Sequence, residues 1–94
     1  MGRLSEVEIQ ARLGQLPGWQ VTQGVLRKLF TFSAFSEGIR FVDRVAALAD
    51  TADHHPDIDI RYTKVVMSLT THSAGAITEK DFALARQIDQ ATSG

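Results

Sequence analysis

No cysteine occurs among the 94 residues. Disulfide staples and thiolate catalysis are therefore excluded, and a zinc site would have only histidine and carboxylates to draw on. No apolar run approaches the roughly 20 residues that span a bilayer. The opening stretch MGRLSEVEIQARL has neither a long apolar core nor a small-residue cleavage site, so it does not read as a signal peptide. The 10 Lys and Arg residues are scattered against 11 acidic ones, giving a net charge of −1. No basic patch marks a nucleic-acid or anionic-membrane surface. Neither a glycine-rich phosphate loop nor a Gly-x-Ser-x-Gly turn is present. The expectation is a cytoplasmic protein that engages neither nucleic acid nor membrane.

Against these absences stand ordinary globular proportions, 44% hydrophobic and 22% charged residues. They fit one domain over residues 1–94. A chain this short buries only a little over half of what it exposes when unfolded, so it gains from self-association.

The pattern of apolar residues gives seven elements. Ser5 to Leu16 reads as a helix with Ser5 as cap, Glu8 completing a capping box, and Ile9, Leu13 and Leu16 as its stripe. Pro17-Gly18 stops it. Strands around Trp19–Val21 and Val25–Phe32 flank a Gln23-Gly24 turn. Ser33 or Ser36 opens a second helix with Phe35, Ile39, Val42, Ala46 and Ala49 on one face, ending near Asp53 because Pro56 disfavours a helical His55. Ile58, Ile60 and Tyr62 alternate as a third strand, and Val65, Met67 and Leu69 as a fourth. Thr78, with Asp81 three residues on, caps a third helix striped by Ile77, Leu84, Ile88 and Ala91. The order α-β-β-α-β-β-α implies an α+β two-layer sandwich: a four-stranded antiparallel sheet with helices on one face. Trp19 and Tyr62 are expected to pack. The Val25–Phe32 strand is expected to offer an edge for pairing, and Phe41 and Val45 a helical surface for a second copy.

All three histidines fall between Asp50 and Asp81. His54 and His55 precede strand three, and His72 follows strand four. If these strands form a hairpin, the start of one lies beside the end of the other, and the sites converge at one edge of the sheet. Strand parity places His72 on the side away from the main core or in a cleft at its margin. Imidazole titrates near neutrality, so such a cluster suits proton transfer. Other readings stay open. A histidine at a helix C-terminus satisfies terminal carbonyls, Asp81 suits a plain helix cap, and Asp50 suits a solvated helix position. Three imidazoles also suit zinc, although adjacent histidines are not the usual helical pair.

The spacing Asp50, three residues, His54-His55-Pro56, five residues, Tyr62, nine residues, His72, eight residues, Asp81 resembles the signature of the pterin-4a-carbinolamine dehydratase family. The words HHPDIDIRYTKV, LTTH and GAITEKDFALA strengthen the resemblance. It runs from about Phe32 to the C-terminus, and the first helix and PGW turn fit as well.

That resemblance implies dehydration of 4a-hydroxytetrahydropterin to quinonoid dihydropterin, the recycling step after aromatic amino acid hydroxylation. It implies His54 and His72 as the acid/base pair and His55 and Pro56 at the substrate. Main-chain groups of Thr70 and Thr71 would face the ring's amide-like edge, and Asp50 and Asp81 would support the site. No metal or other cofactor is implied. The implied partners are a small-molecule pterin, further copies of the chain as homodimer or homotetramer, and a functional link to an aromatic amino acid hydroxylase. Two positions depart from the pattern: some relatives carry Trp where Ile58 stands, and Glu is frequent at the Asp50 position. Relatives that have lost the histidines serve as binding or assembly factors, and animal relatives act as dimerisation cofactors of a transcription factor. A non-catalytic protein-binding role is therefore the alternative.

Overall fold

The structure, a computed structural model, describes residues 2–92. Its elements are α1 (Glu6–Leu13), β1 (Gln20–Thr22), β2 (Val25–Thr31), α2 (Phe35–Ala52), β3 (Asp57–Arg61), β4 (Lys64–Leu69) and α3 (Glu79–Ala91), with a 3₁₀ turn at His72–Ala74. The class and element order are those expected from the sequence. All strand pairs are antiparallel, in the order β1-β2-β4-β3.

Alternation decides which sheet face the helices cover. Leu26 and Phe30 of β2 and Val65, Met67 and Leu69 of β4 point inward and are buried. They meet Phe41 and Val45 of α2 and Phe82, Leu84, Ala85 and Ile88 of α3 in one cluster. Each fully buried large side chain contributes on the order of 1.5–3 kcal/mol relative to exposure. Gly38 lets α2 approach the sheet: a Cβ there would touch the Phe32 ring at 3.4 Å and Val65 at 3.5 Å. Trp19 seals the far end, its indole N–H shared between both Asp89 oxygens at 3.0 Å while Lys28 bonds Asp89 at 2.9 Å.

Several local expectations are corrected. Helix α1 ends at Leu13, although Leu16 beyond it is still buried. Neither Ser33 nor Ser36 caps α2. The N-cap is Ala34, and Ser33, one residue too early, binds Glu37 through its N–H and hydroxyl instead. Apolar residues cover more than one side of α2, and the face that packs is Gly38, Phe41, Val45 and Ala49, leaving Phe35 49% exposed. Phe41 and Val45 are thus core residues and offer nothing to a second copy. Strand β2 is interior, paired on both sides; the free edges belong to β1 and β3. Tyr62 does not pack. It leads the two-residue β3–β4 turn at φ 55°, exposed at 76%, because Arg61 and Lys64 already close the ladder.

Candidate active site

Helix α2 ends where Asp53 turns left-handed at φ 51°, and the His54 N–H returns to the Ala49 carbonyl at 3.1 Å. Aspartate tolerates this conformation better than most residues. Pro56 then commits the chain to an extended path, and β3 begins at Asp57, opposite Ser68 of β4. His54 and His55 are therefore held at the end of the sheet where β4 finishes. His72 follows, exposed, at the start of the 3₁₀ turn. Thr71 N–H donates to the Ala76 carbonyl at 3.1 Å, and Ala76 N–H returns to the Thr71 carbonyl at 3.4 Å, closing the loop that carries His72.

Asp81 joins these pieces. Its carboxylate is fully buried at the start of α3. Oδ2 accepts the Thr78 N–H at 2.9 Å, completing the capping box read from the sequence. The same oxygen accepts the Thr71 hydroxyl at 2.8 Å, and Thr71 and Thr78 hydroxyls touch at 2.8 Å. Oδ1 is left for the His54 ring, whose Nε2 lies 2.6 Å away. So Asp81 is both a cap and the partner of a histidine. His55 bonds Asp50 at 3.0 Å in the open, with side chains 56% and 80% exposed.

The expected site residues therefore divide. His54, Asp81 and Thr71 form one hydrogen-bonded group, with His72 next in the chain to Thr71. His55 and Asp50 form a separate surface pair beside it. The Thr71 main chain is already paired within its own loop, so its side chain, not its backbone, is the part turned to Asp81. Thr70 donates its hydroxyl to the Gly24 carbonyl at 3.2 Å, tying the loop to the β1–β2 turn. Thr78 belongs to the group through its hydroxyl, beyond the plain cap expected of it; a threonine one residue before His72 and another at the cap were the available signal. Among the described residues no three His, Asp or Glu side chains stand close enough to hold a metal ion. No helix there is long and apolar enough to cross a membrane.

A half-buried imidazole backed by a buried carboxylate, with a second, exposed imidazole one loop away, defines a site suited to proton transfer on an α+β domain. The family profile described as pterin 4 alpha carbinolamine dehydratase matches residues 2–91, and the chain belongs to that family. A Roseiflexus sp. (strain RS-1) protein provisionally named pterin-4-alpha-carbinolamine dehydratase is 56% identical, the match covering 94% of this chain and 95% of the other. A Sulfolobus acidocaldarius protein bearing the same provisional name is 46% identical over 94% and 97%. Among solved structures, a transcriptional coactivator/pterin dehydratase from Brucella melitensis superposes with a TM-score of 0.93 at 33% identity, covering 97% and 99%. A pterin dehydratase-like protein identified as a RuBisCO assembly factor in the alpha-carboxysome gives 0.66 at 27% identity, covering 81% and 88%.

Proposed function

We propose that the protein dehydrates 4a-hydroxytetrahydropterin to quinonoid dihydropterin and water. The observation that supports this best is the His54–Asp81 pair, held at the same end of the sheet as His72. Hydroxide is a poor leaving group, so one imidazolium protonates the departing 4a-hydroxyl while a neutral imidazole takes a ring-nitrogen proton. One C–O bond breaks, one C=N bond forms, and no electrons enter or leave. His54 and His72 share these two roles. His55, beside Pro56 on the exposed flank, binds or orients the pterin, and Asp50 holds His55. The reaction places the protein after an aromatic amino acid hydroxylase in pterin recycling.

The test is decay of enzymatically generated 4a-hydroxytetrahydropterin with purified protein, in the presence of a chelator. Acceleration is expected, and it should fall by roughly 10² or more in His54→Ala and in His72→Ala. A rate equal to buffer alone sinks the reading, and activity lost only on chelation turns it towards zinc.

A second reading has support from the neighbours: one solved structure is named a coactivator as well as a dehydratase, and the other an assembly factor. A protein-binding role shares this fold. Retention of His54, His55 and His72 favours the enzyme, and inactivity with intact folding would favour the alternative.

Self-association belongs to the same reading, with β3 as the contact. This edge strand leaves Ile58 and Ile60 37% and 39% exposed, whereas β1 is only three residues long. Antiparallel self-pairing centred on Asp59 would set Ile58 against Ile60 and Asp57 against Arg61 across a two-fold axis. Light scattering should find a dimer or a multiple of it, and Ile60→Lys should shift the mass towards the 10.3 kDa monomer.

A further inference from the structure

We propose that Thr71 is a positioning residue: its hydroxyl, locked from behind by Thr78, holds Asp81 so that His54 is fixed with the proton on Nε2 and presents a bare Nδ1 as the base. The catalytic half of this statement rests on the dehydratase reading; the tautomer half does not.

The direction of the hydrogen bonds follows from counting protons. A hydroxyl has one proton to give and two lone pairs to receive with. Thr71 gives its proton to Asp81 Oδ2 at 2.8 Å. Its 2.8 Å contact with Thr78 must then be filled by the Thr78 proton. Thr78 Oγ1 in turn receives the Lys80 N–H at 3.3 Å. The chain therefore runs one way, from Thr78 to Thr71 to Asp81. Oδ2 also takes the Thr78 N–H, so both of its lone pairs are occupied. Oδ1 remains, and an ionised carboxylate can only accept. The proton in the 2.6 Å contact accordingly sits on His54 Nε2, and in the neutral ring Nδ1 carries none.

Burial makes this arrangement rigid. Thr71 is 2% exposed, and Thr78 and Asp81 are not exposed at all. A buried donor left without its acceptor costs about 1–3 kcal/mol, so each hydroxyl is strongly held to its orientation. The main chain of the same residue closes the His72 loop through Ala76, and its carbonyl also accepts the Ala74 N–H at 3.0 Å. Thr71 thus sets one histidine through its side chain and the loop of the other through its backbone. Loss of the hydroxyl should disturb the first and spare the second.

The experiment compares wild type, Thr71→Val and Thr71→Ser as full-length protein. Nitrogen-15 NMR reads the His54 tautomer without substrate, and steady-state assays read kcat and KM. Wild type should show pyrrole-type Nε2 and pyridine-type Nδ1. Thr71→Val, close in shape but without the hydroxyl, leaves Asp81 held by the Thr78 N–H alone and free to turn away from the ring. It should therefore mix the two tautomers and lower kcat by about 10- to 100-fold with KM little changed. Thr71→Ser should restore both readouts. A wild-type His54 protonated on Nδ1 overturns the proposal whether or not the valine variant folds. So does a folded valine variant with wild-type tautomer and kcat. A wild-type protein that has the Nε2 proton but no dehydratase activity instead sinks the reading of function and leaves the tautomer assignment standing.

Discussion

Two helices of this protein begin with the same device. At α1, the Ser5 hydroxyl accepts the Glu8 N–H at 3.1 Å and Glu8 returns to the Ser5 N–H at 2.8 Å. At α3, Thr78 and Asp81 make the corresponding box. The first is exposed, and α1 buries none of its residues. The second is fully buried, and its carboxylate has an oxygen to spare for His54. A capping box thus becomes part of a site through burial and a neighbour, not through any change in its local pattern. Aspartate at the third position holds the carboxylate close to the helix start, and the fold brings the end of α2 to that spot.

Breaking the buried box should have the largest effect. In Asp81→Asn the amide can keep its oxygen on Thr78 and Thr71 but must offer its NH₂ to His54. The ring must then accept at Nε2 and carry its proton on Nδ1, the wrong side for a base. A loss of roughly 10²–10⁴ in kcat is expected, comparable with the effect of the same change in a Ser-His-Asp triad. Glu8→Gln, the matching change at α1, should leave kcat as in wild type. Equal losses in the two variants, read by steady-state kinetics, would remove the distinction.

Both boxes were legible in the sequence, because Ser-x-x-Glu and Thr-x-x-Asp carry their own geometry. The first hairpin was legible for the same reason: Gln23-Gly24 accepts positive φ at both positions. So was the antiparallel pairing of β3 and β4, which sets the start of β3, after His54 and His55, beside the end of β4, before His72. What alternation does not provide is strand order: β2 reads as an edge strand, whereas the sheet places β1 and β3 outside. Helical periodicity likewise failed at α2, where Phe35, Ile39 and Val42 compete with Phe41 and Val45 for the inner face and only packing against Val65 and Phe32 decides. The Thr71–Asp81 hydrogen bond is hidden from the sequence because one residue's hydroxyl reaching a carboxylate ten positions on is a tertiary fact.

The second histidine–carboxylate pair sharpens the contrast at intermediate cost. His55 and Asp50 stand in solvent, where such pairs contribute about 0–1 kcal/mol and are screened by salt. Asp50→Ala should change stability by less than about 0.5 kcal/mol, seen in urea titration. His55→Ala should raise KM more than it lowers kcat. If His55→Ala instead cut kcat as deeply as His54→Ala, burial would not be what separates the two imidazoles.

Removing the cap hydroxyls compares the boxes in stability alone. Thr78→Ala should cost on the order of 1 kcal/mol for the cap, with a further cost for the Thr71 hydroxyl left short of a donor. Ser5→Ala should cost less, because water replaces the exposed bond and α1 frays without opening the core. Thermal melts of the two variants should rank in that order.

The smallest effect is a pH dependence confined to α1. The Ser5 N–H, and then the Ser5 hydroxyl, hold the Glu8 carboxyl below its ordinary 4.5; desolvation opposes them, and the Arg12 charge adds the least. A carboxylate with a depressed folded-state pKa adds stability that is fully present above the unfolded value and fades as pH falls through the folded one. The melting-temperature gap between wild type and Glu8→Gln should therefore be constant near neutrality and narrow as the pH drops below about 4.5. Ser5→Ala should reduce the narrowing without abolishing it, since it removes the hydroxyl but keeps the main-chain N–H, the larger of the two causes. A gap that widened in acid would mean that Glu8 is held by something other than its cap.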